Sequence, residues 1–69
     1  MDVRWSEYEY YDVHTDSDVV RMMGTTSVGT YFAKVHKDGP ISVRMKRQAF
    51  RDLVLNMMDD GNPPCEVVL

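Results

Sequence analysis

Few side chains in this 69-residue chain are of the types that do chemistry: two histidines and one cysteine, among eleven acids and eight bases. His14, Asp16 and Asp18 are near neighbours with metal-binding atoms. A calcium loop opening at Asp16 would need an oxygen ligand at position 20, where Val20 has none. Neither His-x-x-x-His nor Cys-x-x-Cys spacing is present to hold zinc. His14 to Asp18 therefore reads as a solvated turn, and neither a metal site nor a cofactor is predicted. Cys65 follows Pro63-Pro64, with no glycine elbow or helix N-terminus to present and activate its thiol. A Cys-His nucleophile is thus not indicated, and the chain reads as a non-enzyme. Gly24-Thr25-Thr26-Ser27-Val28-Gly29 has the look of a phosphate loop, but Thr30-Tyr31 stand where Lys-Ser/Thr is required. It reads better as a hairpin connection.

Two segments carry binding chemistry instead. Trp5, Tyr8, Tyr10 and Tyr11 fall within seven residues, interleaved with Glu7, Glu9 and Asp12. Tryptophan and tyrosine are over-represented among the energetic anchors of protein interfaces, and flanking carboxylates steer such a patch toward a basic partner. Trp5, Tyr8, Glu9, Tyr10 and Asp12 are the candidate partner-binding residues, unless the rings form the core of a small sheet. The second segment is basic, with Arg44, Lys46, Arg47 and Arg51 as candidate nucleic-acid contacts. Lys34, Arg44 and Lys46 on one sheet face, with Phe32 beside them as a stacking surface, give a further route to nucleic acid.

The run Ile41-Ser42-Val43-Arg44-Met45-Lys46-Arg47-Gln48-Ala49-Phe50 resembles the strand-to-helix junction of ribbon-helix-helix DNA-binding proteins. The resemblance implies paired strands in the major groove, with Ser42, Arg44 and Lys46 as base readers. The chain departs from that pattern in two places. Asp59-Asp60-Gly61-Asn62-Pro63-Pro64 leaves no room for the family's second helix, and some forty residues precede the strand.

Net charge is −3, arranged in blocks. Residues 1–18 carry six acids and one base, residues 19–55 seven bases and two acids, and residues 56–69 three acids. Such blocks either form separate binding faces or neutralise each other across the fold or a dimer. Overall acidity counts against nucleic acid, whose affinity rests on positive field.

The elements that must position these residues suggest one small α+β domain: an antiparallel sheet of three to four strands with one C-terminal amphipathic helix on one face. Period-two alternation over Tyr31-Ala33-Val35 and Ile41-Val43-Met45, on either side of Asp38-Gly39, predicts a hairpin over 30–46. Keeping one face apolar requires an odd loop with Gly39 at positive φ, and leaves Phe32 on the polar face. Phe50, Leu53, Val54 and Met57 stand at i, i+3, i+4 and i+7, predicting a helix over 47–59 that Ala49 and Met58 widen and Gly61 caps. Val3 to Val13 reads as strand by propensity. Residues 19–23 read as a short strand, with a capped helical turn as the alternative. The tail over 62–69 holds an edge strand or an apolar segment for docking. The sheet thus spans about 3–46.

A chain this short has marginal stability, and a single cysteine cannot form an internal disulfide. Oligomerisation or partner binding is therefore the expected support, the first as a homodimer through Leu55, Val67 and Leu69. Met1 to Tyr10 lacks the layout of a signal peptide and no segment is long enough to span a bilayer, so a cytoplasmic protein with no membrane association is expected. These features are of the type found in small accessory proteins of phages and mobile elements. They predict a protein-binding regulator or inhibitor that occludes a site on a partner with a basic surface. The alternative is a small nucleic-acid-binding transcriptional regulator using residues 41–51.

Overall fold

The computed structural model describes residues 2–37 and 39–69. Strands β1 (Arg4–Asp12), β2 (Ser17–Thr26) and β3 (Gly29–His36) form an antiparallel meander. Helix α1 (Val43–Asp59) then crosses the sheet, and β4 (Glu66–Val68) returns parallel to β3. The strand order is β1-β2-β3-β4. The predicted α+β class, with one C-terminal helix on a small sheet, is what the chain adopts. The sheet is mixed rather than wholly antiparallel, because a strand reached through a helical crossover runs parallel to the one before it.

The predicted hairpin over 30–46 does not form. Residues 43–46 are the first turn of α1, because the Ser42 hydroxyl accepts the otherwise unpaired N–H of Met45 at 3.3 Å and caps the helix there. Val43 lies seven residues before Phe50, so it extends the helical stripe and packs against the core. The turn expected at Asp38-Gly39 involves Asp38, which lies outside the described residues. The tight hairpin is one step earlier, where Thr26 pairs with Gly29 across Ser27-Val28. Gly29 sits at φ +129, a conformation open only to glycine, and Thr26 Oγ1 donates to its carbonyl at 2.9 Å. Residues 19–23 are strand, as predicted, within a longer β2.

The far end of α1 matches its prediction. Asp60 is the C-cap and Gly61, at φ +73, the left-handed residue after it. Gly61 N–H donates to Met58 and Asn62 N–H to Met57, the paired bonds of a Schellman turn. Pro63-Pro64 then leads into β4. Ala49 is exposed, not part of the buried stripe, whereas Met58 packs on the core.

Alternation divides the sheet into two faces. Val20, Met22, Tyr31, Ala33 and Val35 point under α1, where Phe50 and Val54 complete a core of side chains at most 2% exposed. Tyr31 directs its hydroxyl to the Asn62 carbonyl at 2.8 Å, tying the helix exit to β3. α1 lies over β2 and β3, and reaches β1 only through long side chains. It is not long and apolar enough to cross a membrane.

Candidate interaction surface

The face of the sheet away from α1 has no covering element among the described residues. By register, one row across it is Ser6, Met23, Phe32 and Glu66, the next Tyr8, Arg21, Lys34 and Val68, and the third Tyr10, Val19 and His36. Tyr8 and Tyr10, two apart on β1, stack with centroids 5.7 Å apart and planes tilted 37°. Tyr8 is 46% exposed and Val68 73%. Phe32 lies on this polar face, as its parity predicts, with the Arg21 guanidinium 4.4 Å above its ring.

Trp5 is different. It points to the helix side, where its ring meets Phe50 edge-on at 6.0 Å and Arg51 lies over it at 5.5 Å. The indole crosses Gly24, its cross-strand neighbour, where a Cβ would stand 2.9 Å from Trp5 Cζ3. Trp5 is thus a structural ring, and of the predicted partner-binding aromatics the open face presents Tyr8 and Tyr10.

The acidic and basic blocks meet within the chain. Glu7 receives two bonds from Arg47, at 2.7 and 2.8 Å. Glu9 receives Lys37 at 2.5 Å, Asp12 receives Lys34 at 2.8 Å, and Glu66 receives Arg21 at 3.1 Å. The hydrogen bond from Arg47 holds the Glu7 carboxyl below its ordinary range. Glu9 lies on the helix side of β1, so it does not share a face with the tyrosine pair. Arg21 keeps its Nε buried and without an acceptor among the described residues, its charge directed to Glu66 and the Phe32 ring.

Asp12 is the most enclosed carboxylate. One oxygen takes Lys34 Nζ and the other the His14 main-chain N–H at 2.9 Å, closing the turn over 13–16. Asp16 completes that turn at φ +52 and accepts the Tyr11 hydroxyl. The Lys34 ammonium, then the His14 N–H, lower the Asp12 pKa from 3.8 to about 2. A carboxyl more acidic in the folded than in the unfolded chain stabilises the fold above the unfolded value, and that contribution is lost as pH falls from 3.8 toward about 2. Urea midpoints measured across this window are expected to fall less steeply for Asp12→Asn than for the wild type. Asn keeps the turn acceptor but has no proton to gain. Parallel slopes would refute this role for Asp12.

No protein-family model, curated protein or solved structure matches this chain.

Of the basic candidates, Arg44, Arg47 and Arg51 stand at i, i+3 and i+7 on one face of α1, and Lys46 lies off it. Lys46 donates to the Leu69 main-chain carbonyl at 3.3 Å, Arg47 holds Glu7, and Arg51 covers Trp5. Arg44 and Lys46 belong to the helix, so they do not line a sheet face with Lys34, and the resemblance to a ribbon-helix-helix strand ends at the Ser42 cap. Among the expected dimer contacts, Val67 and Leu69 pack against this chain's own core, while Leu55 is exposed. The tyrosine stack was partly legible in the sequence through its spacing. Met23 and Val68 were not picked out as members of this face, because their positions depend on β2 and β4 registers that only the fold fixes.

Proposed function

We propose that this domain is a protein-binding regulator that occludes a site on a partner protein through the open face of its sheet. The observation that carries this reading is the Tyr8–Tyr10 pair, with Tyr8 exposed and Tyr10 partly buried, on a sheet face that the helix leaves bare. Met23, Phe32 and Val68 lie across the same face. A rigid aromatic pair with few rotatable bonds loses little entropy on binding, which is why such rings dominate interface energetics.

The charge arrangement favours protein over nucleic acid as the partner. Arg21 and Lys34, the cations at the centre of this face, are already engaged by Glu66 and Asp12, and only Arg4, at its border, has no ion-pair partner among the described residues. Phosphate recognition draws on cations whose counterions can be released, and the two paired ones offer little. The same pairing changes the expectation about the partner. With Glu7, Glu9 and Asp12 each holding a cation of the chain, recognition rests on the aromatic rings more than on attraction to a basic surface.

Affinity capture from lysate with the wild type and the Tyr8→Ala/Tyr10→Ala pair tests the reading, with nuclease treatment as control. A nuclease-resistant protein is expected on the wild type and not on the variant. Titration of that isolated protein should show binding weakened about 30-fold or more, the effect of losing one interface anchor. Retention of nucleic acid alone, indifferent to the tyrosines, would overturn the reading.

A further inference from the structure

We propose that the outer edge of β1 is a dimer interface, and that its occupant is a second copy of β1 paired antiparallel about Tyr8. β1 is a nine-residue strand at the border of the sheet. The Lys37 N–H donates to the Asp18 carbonyl at 3.1 Å, which sets the hydrogen-bond phase of the whole meander. Bonded and non-bonded pairs alternate along an antiparallel ladder, so even-numbered residues of β2 bond to β3 and odd-numbered ones to β1. With Tyr8 opposite Arg21, the main-chain groups of Arg4, Ser6, Tyr8, Tyr10 and Asp12 turn inward to β2. Those of Trp5, Glu7, Glu9 and Tyr11 turn outward. Among the described residues these groups meet no partner, and they form a row of donors and acceptors of the kind that recruits another strand.

Two copies of this edge match when Tyr8 faces Tyr8. Glu7 then faces Glu9 and Trp5 faces Tyr11, so the outward-bonding residues meet and each such pair exchanges two main-chain bonds. Tyr8 occupies the non-bonded position at the axis, where side chains approach most closely. On the open face the register sets Arg4 against Asp12 of the second copy and Ser6 against Tyr10. Arg4 is exposed, and this pairing sets it beside the Asp12 carboxylate that already holds Lys34, so that one acid lies between two cations at both ends of the interface. On the helix side Glu7 and Glu9 face each other, each carboxylate already holding a cation of its own chain, Arg47 and Lys37. A register shifted by two residues loses the Arg4–Asp12 match and shortens the ladder. The two open faces join across the axis into one continuous sheet surface.

Sedimentation over a concentration series tests this against a monomer mass of 8.0 kDa. The wild type is expected to approach twice that mass. Glu9→Pro removes an outward N–H without breaking a bond to β2, since proline is tolerated on edge strands, and is expected to stay monomeric. Glu9→Ala keeps that N–H and is expected to dimerise. Arg4→Glu is expected to weaken the dimer about tenfold, with two symmetric pairs reversed. A wild type that remains at 8.0 kDa throughout overturns the proposal. So does a dimer that neither Glu9→Pro nor Arg4→Glu weakens, or one that Glu9→Ala abolishes. A dimer broken by Glu9→Pro but indifferent to Arg4→Glu overturns the Tyr8-centred register. Glu9→Pro leaves both tyrosine side chains in place on the open face, so loss of the dimer and loss of partner capture are separately readable.

Discussion

Phe50→Ala is expected to remove much or all of the domain's stability at 25 °C. Phe50 is 2% exposed at the centre of the helix–sheet contact and meets the Trp5 ring edge-on. Truncating a buried phenylalanine costs about 3–5 kcal/mol, from lost transfer energy and the cavity left behind. Domain stability runs at roughly 0.05–0.15 kcal/mol per residue, so about 3–10 kcal/mol for a chain of this size. The loss therefore takes up much or all of the margin. Trp5, the only tryptophan, reports it directly, because its indole loses Phe50 as a neighbour and its emission moves to that of a solvated ring. Urea titration followed by tryptophan fluorescence and far-ultraviolet circular dichroism makes the measurement. A midpoint within error of the wild type would show that Phe50 is not the keystone of this contact.

Gly29→Ala is the second large effect expected, at about 2–4 kcal/mol. Two separate costs combine. A residue with a Cβ at φ +129 is held in a region essentially closed to it. The added methyl would also stand 2.7 Å from Pro64 Cγ, part of a stiff ring in the segment that delivers β4. Gly61→Ala gives the lower reference, a left-handed glycine with no contact. Gly61 also has positive φ, but nothing lies within 4 Å of its missing Cβ, so it is expected to lose only about 1 kcal/mol, the conformational part. Urea midpoints of the two variants, side by side, decide the matter. Equal losses would mean that the approach of Pro64 contributes nothing.

The helix was legible because Phe50, Leu53, Val54 and Met57 leave no other periodicity that fits. Its start was not, because Ile41-Ser42-Val43-Arg44-Met45 also satisfies the alternation of a strand and follows an Asp-Gly pair. The signal that decides between them is the N-cap: Ser42 lies three residues before the Met45 N–H it accepts, and Val43 falls on the Phe50 stripe. β1 resisted assignment of its faces for a physical reason. The helix lies over β2 and β3, so the helix side of β1 holds Trp5 together with Glu7 and Glu9, and no apolar face repeats. The charge blocks admitted both separate faces and mutual neutralisation. Long-range pairs such as Glu7–Arg47 and Asp12–Lys34 favour the second and depend on register, which composition does not encode.

β4 has a kinetic consequence. The two hairpins close over short connections, so their ladders form at small loop-closure cost. β4 must wait for α1 to fold back, because its partners Phe32 to Lys34 lie on the far side of the helix in the chain. Contacts of long sequence separation of this kind are the late ones in folding. β4 has the shortest ladder, three pairs with the Phe32–Cys65 and Leu69–Lys34 main-chain bonds at its ends, against nine for β1–β2 and eight for β2–β3. It is therefore the element that detaches first when the native state opens locally. In that opened form the outer edge of β3 is bare, while the meander that carries Tyr8 and Tyr10 is still formed. The domain thus has a C-terminal latch whose release does not require the aromatic face to melt.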